Sequence, residues 1–429
     1  MRAKIIILAW VIFFFPAYIC AQQRSLDFYI KNAKANSPFI HKNQNQKKLV
    51  QLDQEQLKSI YSKPEVTVVG AVLLAPIISR DSRPARFKLA TKDANDYTGY
   101  DIAITDGNDY QGMLSVTQGL FNGKKLDTYA NQADIQNRIS DNNIELTDHE
   151  LENTVRHQYI LCLKSEKEAA NSLALINEVQ DELTTMQTLV ESAIYKQSDL
   201  MLLQITRQNY QQDYETFMAE YQSNLYNLNL LCGIEDNPDV KLEDVQFRMN
   251  PEITTPSRFL TSFFLDSLAI DADLKISELK YQPQVSVFAN AGMNAAYLPS
   301  VNRLGFSTGA TFSLTIFDGN QRKTELQKSK INLETLQFEK EKTSVQNTIH
   351  KNYMVSQLSS LDKRISLADK QLDQYNQLLE VYKNQLSHAE ISVMDYKYLL
   401  KDISGKKQEK LMLEMEKQIV INAYNYWNY

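Results

Sequence analysis

The most regular feature of the chain is an apolar run stepping alternately by four and three. Leu361, Ile365, Ala368, Leu372, Tyr375, Leu379, Tyr382 and Leu386 keep this step without a miss, which is a heptad seam. Leu173, Ile176, Val179, Leu183, Met186 and Val190 nearly repeat it. Each pattern predicts a helix of roughly 65 residues, about 100 Å long at 1.5 Å per residue. Such a helix cannot be wrapped inside one compact domain. Its seam must be covered by neighbouring helices along its length.

A second periodicity interrupts the first. Val285, Val287, Ala289, Ala291 and Met293 alternate with Ser286, Phe288, Asn290, Gly292 and Asn294, the pattern of a strand with one apolar face. Further on, Phe312, Leu314 and Ile316 alternate with Ser313 and Thr315, and Asp318-Gly319 follows. Asp-Gly usually turns a hairpin, but a Lys-rich helical run comes next and no strand returns.

The chain carries this plan twice. "KPEVTVVGAVLLAP" from Lys63 recurs as "QPQVSVFANAGMNA" from Gln282, and "LFNGKKLDT" from Leu120 as "IFDGNQRKT" from Ile316. "TVRHQY" from Thr154 recurs as "TIHKNY" from Thr348, and "AIYKQSDL" from Ala193 as "AEISVMDY" from Ala389. Four pairs in the same order point to internal duplication. The predicted layout is a first repeat over 22–233, a Pro-rich connector over 234–257 and a second repeat over 258–429. In each repeat a helix (Pro38 to Tyr61, or Ser257 to Lys280) ends before a proline, Pro64 or Pro283. Two strands follow, the second over Gly112 to Phe121 or Gly309 to Phe317. Asn122-Gly123 or Asp318-Gly319 breaks that strand, and a long helix and a return helix complete the repeat.

The remaining features narrow the class. Arg2 and Lys4 precede an apolar run from Ile5 to Phe15, too short for a bilayer span, and Ile19-Cys20-Ala21 offers a cleavage site. Residues 1–21 therefore read as a signal peptide. A lipoprotein signal acylating Cys20 is the rival, with Ile19 a poor residue before such a cysteine. Cys162 and Cys232 remain, read as buried thiols, with a bridge between them left open. The net charge of -6 and the lack of a basic stripe argue against nucleic acid as a partner. There is no phosphate-binding glycine loop, nucleophile elbow or Cys/His metal spacing, and the five histidines are scattered, so no enzyme, metal or cofactor is expected.

Tyr61, Phe121, Tyr281 and Phe317 should share one level, where strands meet helices. They would either form the aromatic girdle of a membrane barrel or pack the joint. Four strands cannot close a barrel, which needs about eight, and lipid does not tolerate open sheet edges. Strands in a membrane would therefore be shared among several chains.

With these features in place, the mature chain resembles the TolC-type outer-membrane efflux proteins, in particular Bacteroidetes-like members. "SLDFYIKNAKANSP" resembles the family's N-terminal helix, "QPQVSVFANAG" its strand entry, "FSLTIFDGNQRK" its strand-to-helix junction and "AEISVMDYKYLL" its helical turn. The resemblance implies an α+β membrane protein acting as a homotrimer. Four strands per chain would contribute to a shared twelve-stranded β-barrel in outer-membrane lipid. The long antiparallel coiled-coil helices would form an α-barrel tunnel through the periplasm. It further implies a passive export duct, docked by a periplasmic adaptor (a membrane fusion protein) to an RND-type or ABC-type inner-membrane pump. The cargo would be small molecules or proteins.

Carried over onto the helical turn, the family's Asp falls on Asp395, with Asp199 at the repeat-related place. Rings of these carboxylates would guard the periplasmic end of the pore; alternatively, each Asp simply starts a helix. Ala193, Ala389 and Ser392 complete the tips. The pattern's Gly is replaced by the two alanines, which puts the turn shape in question. A second Asp found in several relatives is Tyr398 here, which puts a two-tier acidic gate in question. A soluble periplasmic coiled-coil scaffold or adaptor is the competing reading. It accounts for the heptads and the signal but not for two symmetric strand pairs.

Overall fold

The computed structural model describes residues 23–74, 77–79, 86–88, 108–235, 240–252, 257–295 and 304–429. The signal segment with Cys20, most of the loop from Ser79 to Tyr110, and Pro238 and Pro256 of the connector lie outside them.

Helices α1 (Leu26–Asn36) and α2 (Pro38–Ser62) lead into strand β1 (Glu65–Leu74). A short hairpin of β2 (Ile77–Ser79) and β3 (Arg86–Lys88) precedes β4 (Asn108–Leu120). The first long helix, α3 (Gly123–Glu191), has 69 residues and returns as α4 (Gln197–Cys232). The second half runs α5 (Arg258–Glu278), a 3-10 turn (Leu279–Tyr281), β5 (Gln284–Ala295) and β6 (Gly305–Ser313). It ends with α6 (Gln321–Ser387, 67 residues) and α7 (Val393–Trp427). Pro64 and Pro283 each sit directly before a strand, where the missing N–H costs no helix bond. No described helix is long and apolar enough to cross a membrane.

The chain forms two compact units. One holds residues up to Ile40 with Leu146–Ser257 and Val345–Tyr429; the other holds His41–Glu145 and Arg258–Ser344. Each long helix gives its opening part to the second unit and its remainder to the first.

In the first unit the heptad seam of α6 is buried at Leu361, Ala368, Leu372, Leu379 and Leu386, with Ile365, Tyr375 and Tyr382 partly covered. The α3 seam holds at Val179, Leu183 and Met186, but Leu173 is 45% exposed. Leu175 takes the inward place, and Ser172, Glu168 and Ser165 continue the buried face. This face mixes polar and apolar residues, so hydrophobicity alone set the register one residue off, at Leu173 for Ser172 and Ile176 for Leu175.

In the second unit the four main strands make one antiparallel sheet in the order β1-β4-β5-β6. β1 and β6 are its edges. The predicted strand from Gly309 to Phe317 is corrected here: β6 ends at Ser313 and Leu314–Phe317 are not paired. Gln284 is the partner of Ser313, so Leu314 would face Pro283, which has no N–H to give. As an edge strand, β6 has no second neighbour to hold it. The central β4 keeps its partners on β5 as far as Leu120, opposite Val285.

Candidate functional site

The register of the sheet sorts its side chains by chemistry. Val66, Val116, Ala289 and Thr308 lie in one row, and Val68, Leu114, Ala291 and Phe306 in the next. Residues in such rows share one face of a sheet. This face is mostly apolar, with Thr308 and Gln118 the exceptions on β6 and β4. The other is mixed, with rows such as Thr67, Ser115, Asn290 and Ser307 beside Val69 and Met113. On this second face the Phe288 ring lies over Gly309, where a Cβ would sit 2.6 Å from the ring tip. No strand residue with a described side chain is buried. Val68, Phe306 and Phe312, all on the apolar face, are 84%, 87% and 68% exposed.

The two strand–helix joints turn at the repeat-related Asn122 and Asp318. In the first, the buried Asn122 donates its Nδ2–H to the Tyr61 carbonyl (2.8 Å) and the Gly119 carbonyl (3.0 Å). Phe121 supplies the left-handed residue, with φ 60, and Gly123 opens α3. Tyr61 stacks on Tyr129, and their hydroxyls lie 3.5 Å apart. Burial, aided by Tyr129, pushes the Tyr61 hydroxyl up to about 12. In the second joint, Asp318 Oδ2 accepts from the Tyr281 hydroxyl and from the Arg322 N–H (2.8 Å). These bonds, that from Tyr281 first, hold the Asp318 carboxyl below its ordinary value. Gly319 and Asn320 take the positive φ values. Arg322 also grips Glu278 with two bonds of 2.9 and 3.1 Å.

The four aromatic candidates divide. Phe121 and Phe317 are 85% and 81% exposed. Tyr61 and Tyr281 are half-buried against their joints.

At the opposite end of the helices, in the first unit, both tips close as Schellman motifs. Ala193 N–H donates to Val190 O and Ile194 N–H to Leu189 O, each at 2.9 Å. Ala389 and Glu390 do the same with Leu386 and Gln385. Both alanines are left-handed, with φ 58 and 59, the place where glycine is favoured. The turn shape put in question by these alanines is therefore a regular helix end that tolerates a strained residue.

The next helix then starts. Ser392 caps α7: its Oγ accepts from Asp395 N–H (3.1 Å), and its hydroxyl donates to Asp395 Oδ2 (2.7 Å). Asp199 accepts from the Lys196 N–H at 3.0 Å. Each carboxylate therefore serves a helix start, where its charge also complements the dipole. Asp395 and Tyr398 are exposed, and Asp199 is half-exposed.

A residue not singled out in the sequence joins the tips. The Tyr195 hydroxyl lies 3.1 Å from Leu386 O and 2.8 Å from Ile391 O, tying the first tip to the second. Its only sequence signal is that the repeat places Ile391 opposite it.

The connector packs against α7. Phe247 N–H donates to Gln418, Asn250 N–H to Asn425, and Asn425 donates to Arg248 O. Arg24 and Leu242 pair as a short parallel bridge. Cys162 and Cys232 are free and buried in the same apolar cluster, and burial raises both thiols to about 12. Among the described residues no group of His, Cys, Asp or Glu is arranged to hold a metal ion.

No protein-family model and no curated protein matches the sequence. Solved structures do match. The chain is similar to CusC, described as forming a transmembrane channel, at TM-score 0.69 and 11% identity over 95% of this chain and 92% of that one. The outer membrane channel CmeC of Campylobacter jejuni gives 0.67 and 12% over 94% and 85%. The outer membrane channel MtrE of Neisseria gonorrhoeae gives 0.65 and 11% over 94% and 88%. The chain has the fold of these channels.

Proposed function

We propose that the protein is a TolC-type outer-membrane channel in which three copies share one barrel and one helical tunnel. The observation that carries this reading is the sheet: one largely apolar face, one more polar face, neither buried, and two edge strands with no further neighbour among the described residues. A soluble chain would leave the apolar face in water, against the usual limit on exposed apolar patches. In lipid the face is solvated, and the edges close only against other copies. Three copies of four strands make twelve. The first part of α6 adds support: Ile331, Phe338 and Val345, spaced by sevens, are 61%, 67% and 58% exposed and await a neighbouring helix. A soluble scaffold or adaptor has no use for the sheet.

In this reading the protein is exported by its signal segment. It acts as a passive duct for small molecules or proteins delivered by an RND-type or ABC-type pump through a periplasmic adaptor. Rings of Asp395, and of Asp199, act on ions at the periplasmic end by focused potential.

Purified protein in planar bilayers is expected to conduct. Recovery in the soluble periplasmic fraction, with no conductance, overturns the reading. Asp395→Ala is expected to change conductance or cation selectivity. Unchanged behaviour would leave Asp395 with its capping role alone.

A further inference from the structure

The strands of the main sheet are nearly free of charge. Among the strand residues with described side chains, Glu65 alone carries one. It opens β1, is exposed, and makes no ion pair among the described residues. Lys63, the basic residue nearest in sequence, stands outside the strand, before Pro64. The register sets Glu65 in one row with Thr117, Phe288 and Gly309, on the more polar face. Thr117 is short, and the Phe288 ring lies over Gly309, so the Glu65 carboxylate is the group of this row free to reach off the sheet. The duplication shows that the fold does not need this charge. Pro64-Glu65 corresponds to Pro283-Gln284, and Gln284 opens β5 on the same face with a neutral side chain of the same shape.

A charge that folding does not require, on a face that packing does not bury, is available to whatever passes that face. In outer-membrane barrels the apolar face meets lipid and the polar face lines the lumen. Three copies then set three Glu65 carboxylates around the lumen where the strands begin, with no cationic side chain on the described strands to offset them. We propose that Glu65 is a specificity-determining residue of the channel, favouring cations over anions at the mouth of the barrel. This rests on the channel reading above and adds a second place of selection to the one at the helical tips. Carboxylate rings select cations in this way. A lumen enclosed by twelve strands leaves ions hydrated, so the ring acts through its potential and not by ligation. Its reach is the Debye length, about 10 Å at 0.1 M salt and about 3 Å at 1 M.

The test is the zero-current potential of the full protein in planar bilayers under a KCl gradient, at low and at high salt, with circular dichroism as the control for folding. Wild type is expected to prefer potassium over chloride at low salt. Glu65→Gln takes the side chain that Gln284 already has in the second repeat. It is expected to fold, to conduct, and to lose roughly half or more of that preference at about 0.1 M KCl, with the difference shrinking at about 1 M. Glu65→Asp, which keeps the charge, is expected to keep the preference. Gly309→Ala, in the same row, pushes the Phe288 ring off the sheet and is expected to lower conductance with the preference retained. An unchanged preference in a folded, conducting Glu65→Gln overturns the inference and leaves the channel reading intact. So does a change as large at high salt as at low, or one that Gly309→Ala reproduces in full, since either assigns it to pore shape. A wild type that neither enters membranes nor conducts overturns both readings. If Glu65→Gln misfolds, Glu65→Ser is held to the same outcomes.

Discussion

The two halves of the chain turn at the same places with different bonds. At the first joint a neutral Asn122 donates to the backbone carbonyl of Tyr61. At the second, a charged Asp318 accepts from the hydroxyl of Tyr281. Each tie runs from the repeat-related Asn122 or Asp318 to a tyrosine just before the strand-opening proline, but the direction of the hydrogen bond is reversed. The first tie is buried at Asn122 and independent of pH, whereas the second is half-buried and charge-assisted. At the tips the backbone turns are alike, yet only Tyr195 reaches across. Duplication thus preserves where the chain turns, while the side chains that hold each turn are free to diverge.

The largest expected effect is at the buried tie. Asn122→Ala leaves the Tyr61 carbonyl without its partner and should cost about 1–3 kcal/mol, read by thermal unfolding and amide protection at Leu126. Asp318→Ala should cost less, since water replaces the lost bonds. A loss at Asp318 as large as that at Asn122 would erase the contrast between the joints. Next comes Tyr195→Phe, which removes the clamp between tips and should cost about 0.5–1.5 kcal/mol. No change in stability would mean that the tips are held by their apolar cluster alone.

Ala193→Gly and Ala389→Gly relieve left-handed strain and should each gain up to about 1 kcal/mol, after allowing for the entropy glycine loses on folding. Unequal gains would show that the two tips differ in backbone strain as well as in side chains. The smallest effect is acid weakening of the second joint. The folded carboxyl of Asp318 lies below 3.8, so its contribution is complete above that value and lost as pH falls through the lowered one. Amide protection at Arg322 should fall below pH 3.8 relative to Leu126. Parallel loss at both amides would assign the change to general acid unfolding.

Much of this was legible in the residues. The α6 seam, the two long helices and the prolines before the strands followed from period and punctuation, because those signals are local. Leu173 was misread because the true inward face of α3 there includes Ser172 and Glu168, which hydrophobicity cannot flag. The end of β6 was misread because alternation continues to Ile316, while pairing stops at the proline on the neighbouring strand. Tyr195 was missed because its acceptors lie on another hairpin, nearly two hundred residues away.

By itself, then, the sequence determined the element types, their doubled order and the sites of the turns. Each depends on a few adjacent side chains and on backbone preference. Only the tertiary structure decided that β4 and β5, from different halves, are neighbours in one sheet. Their register brings most of the apolar residues to one face, and it settles which bonds hold each joint. Those outcomes depend on which distant backbone supplies the partner, and no local period records that choice.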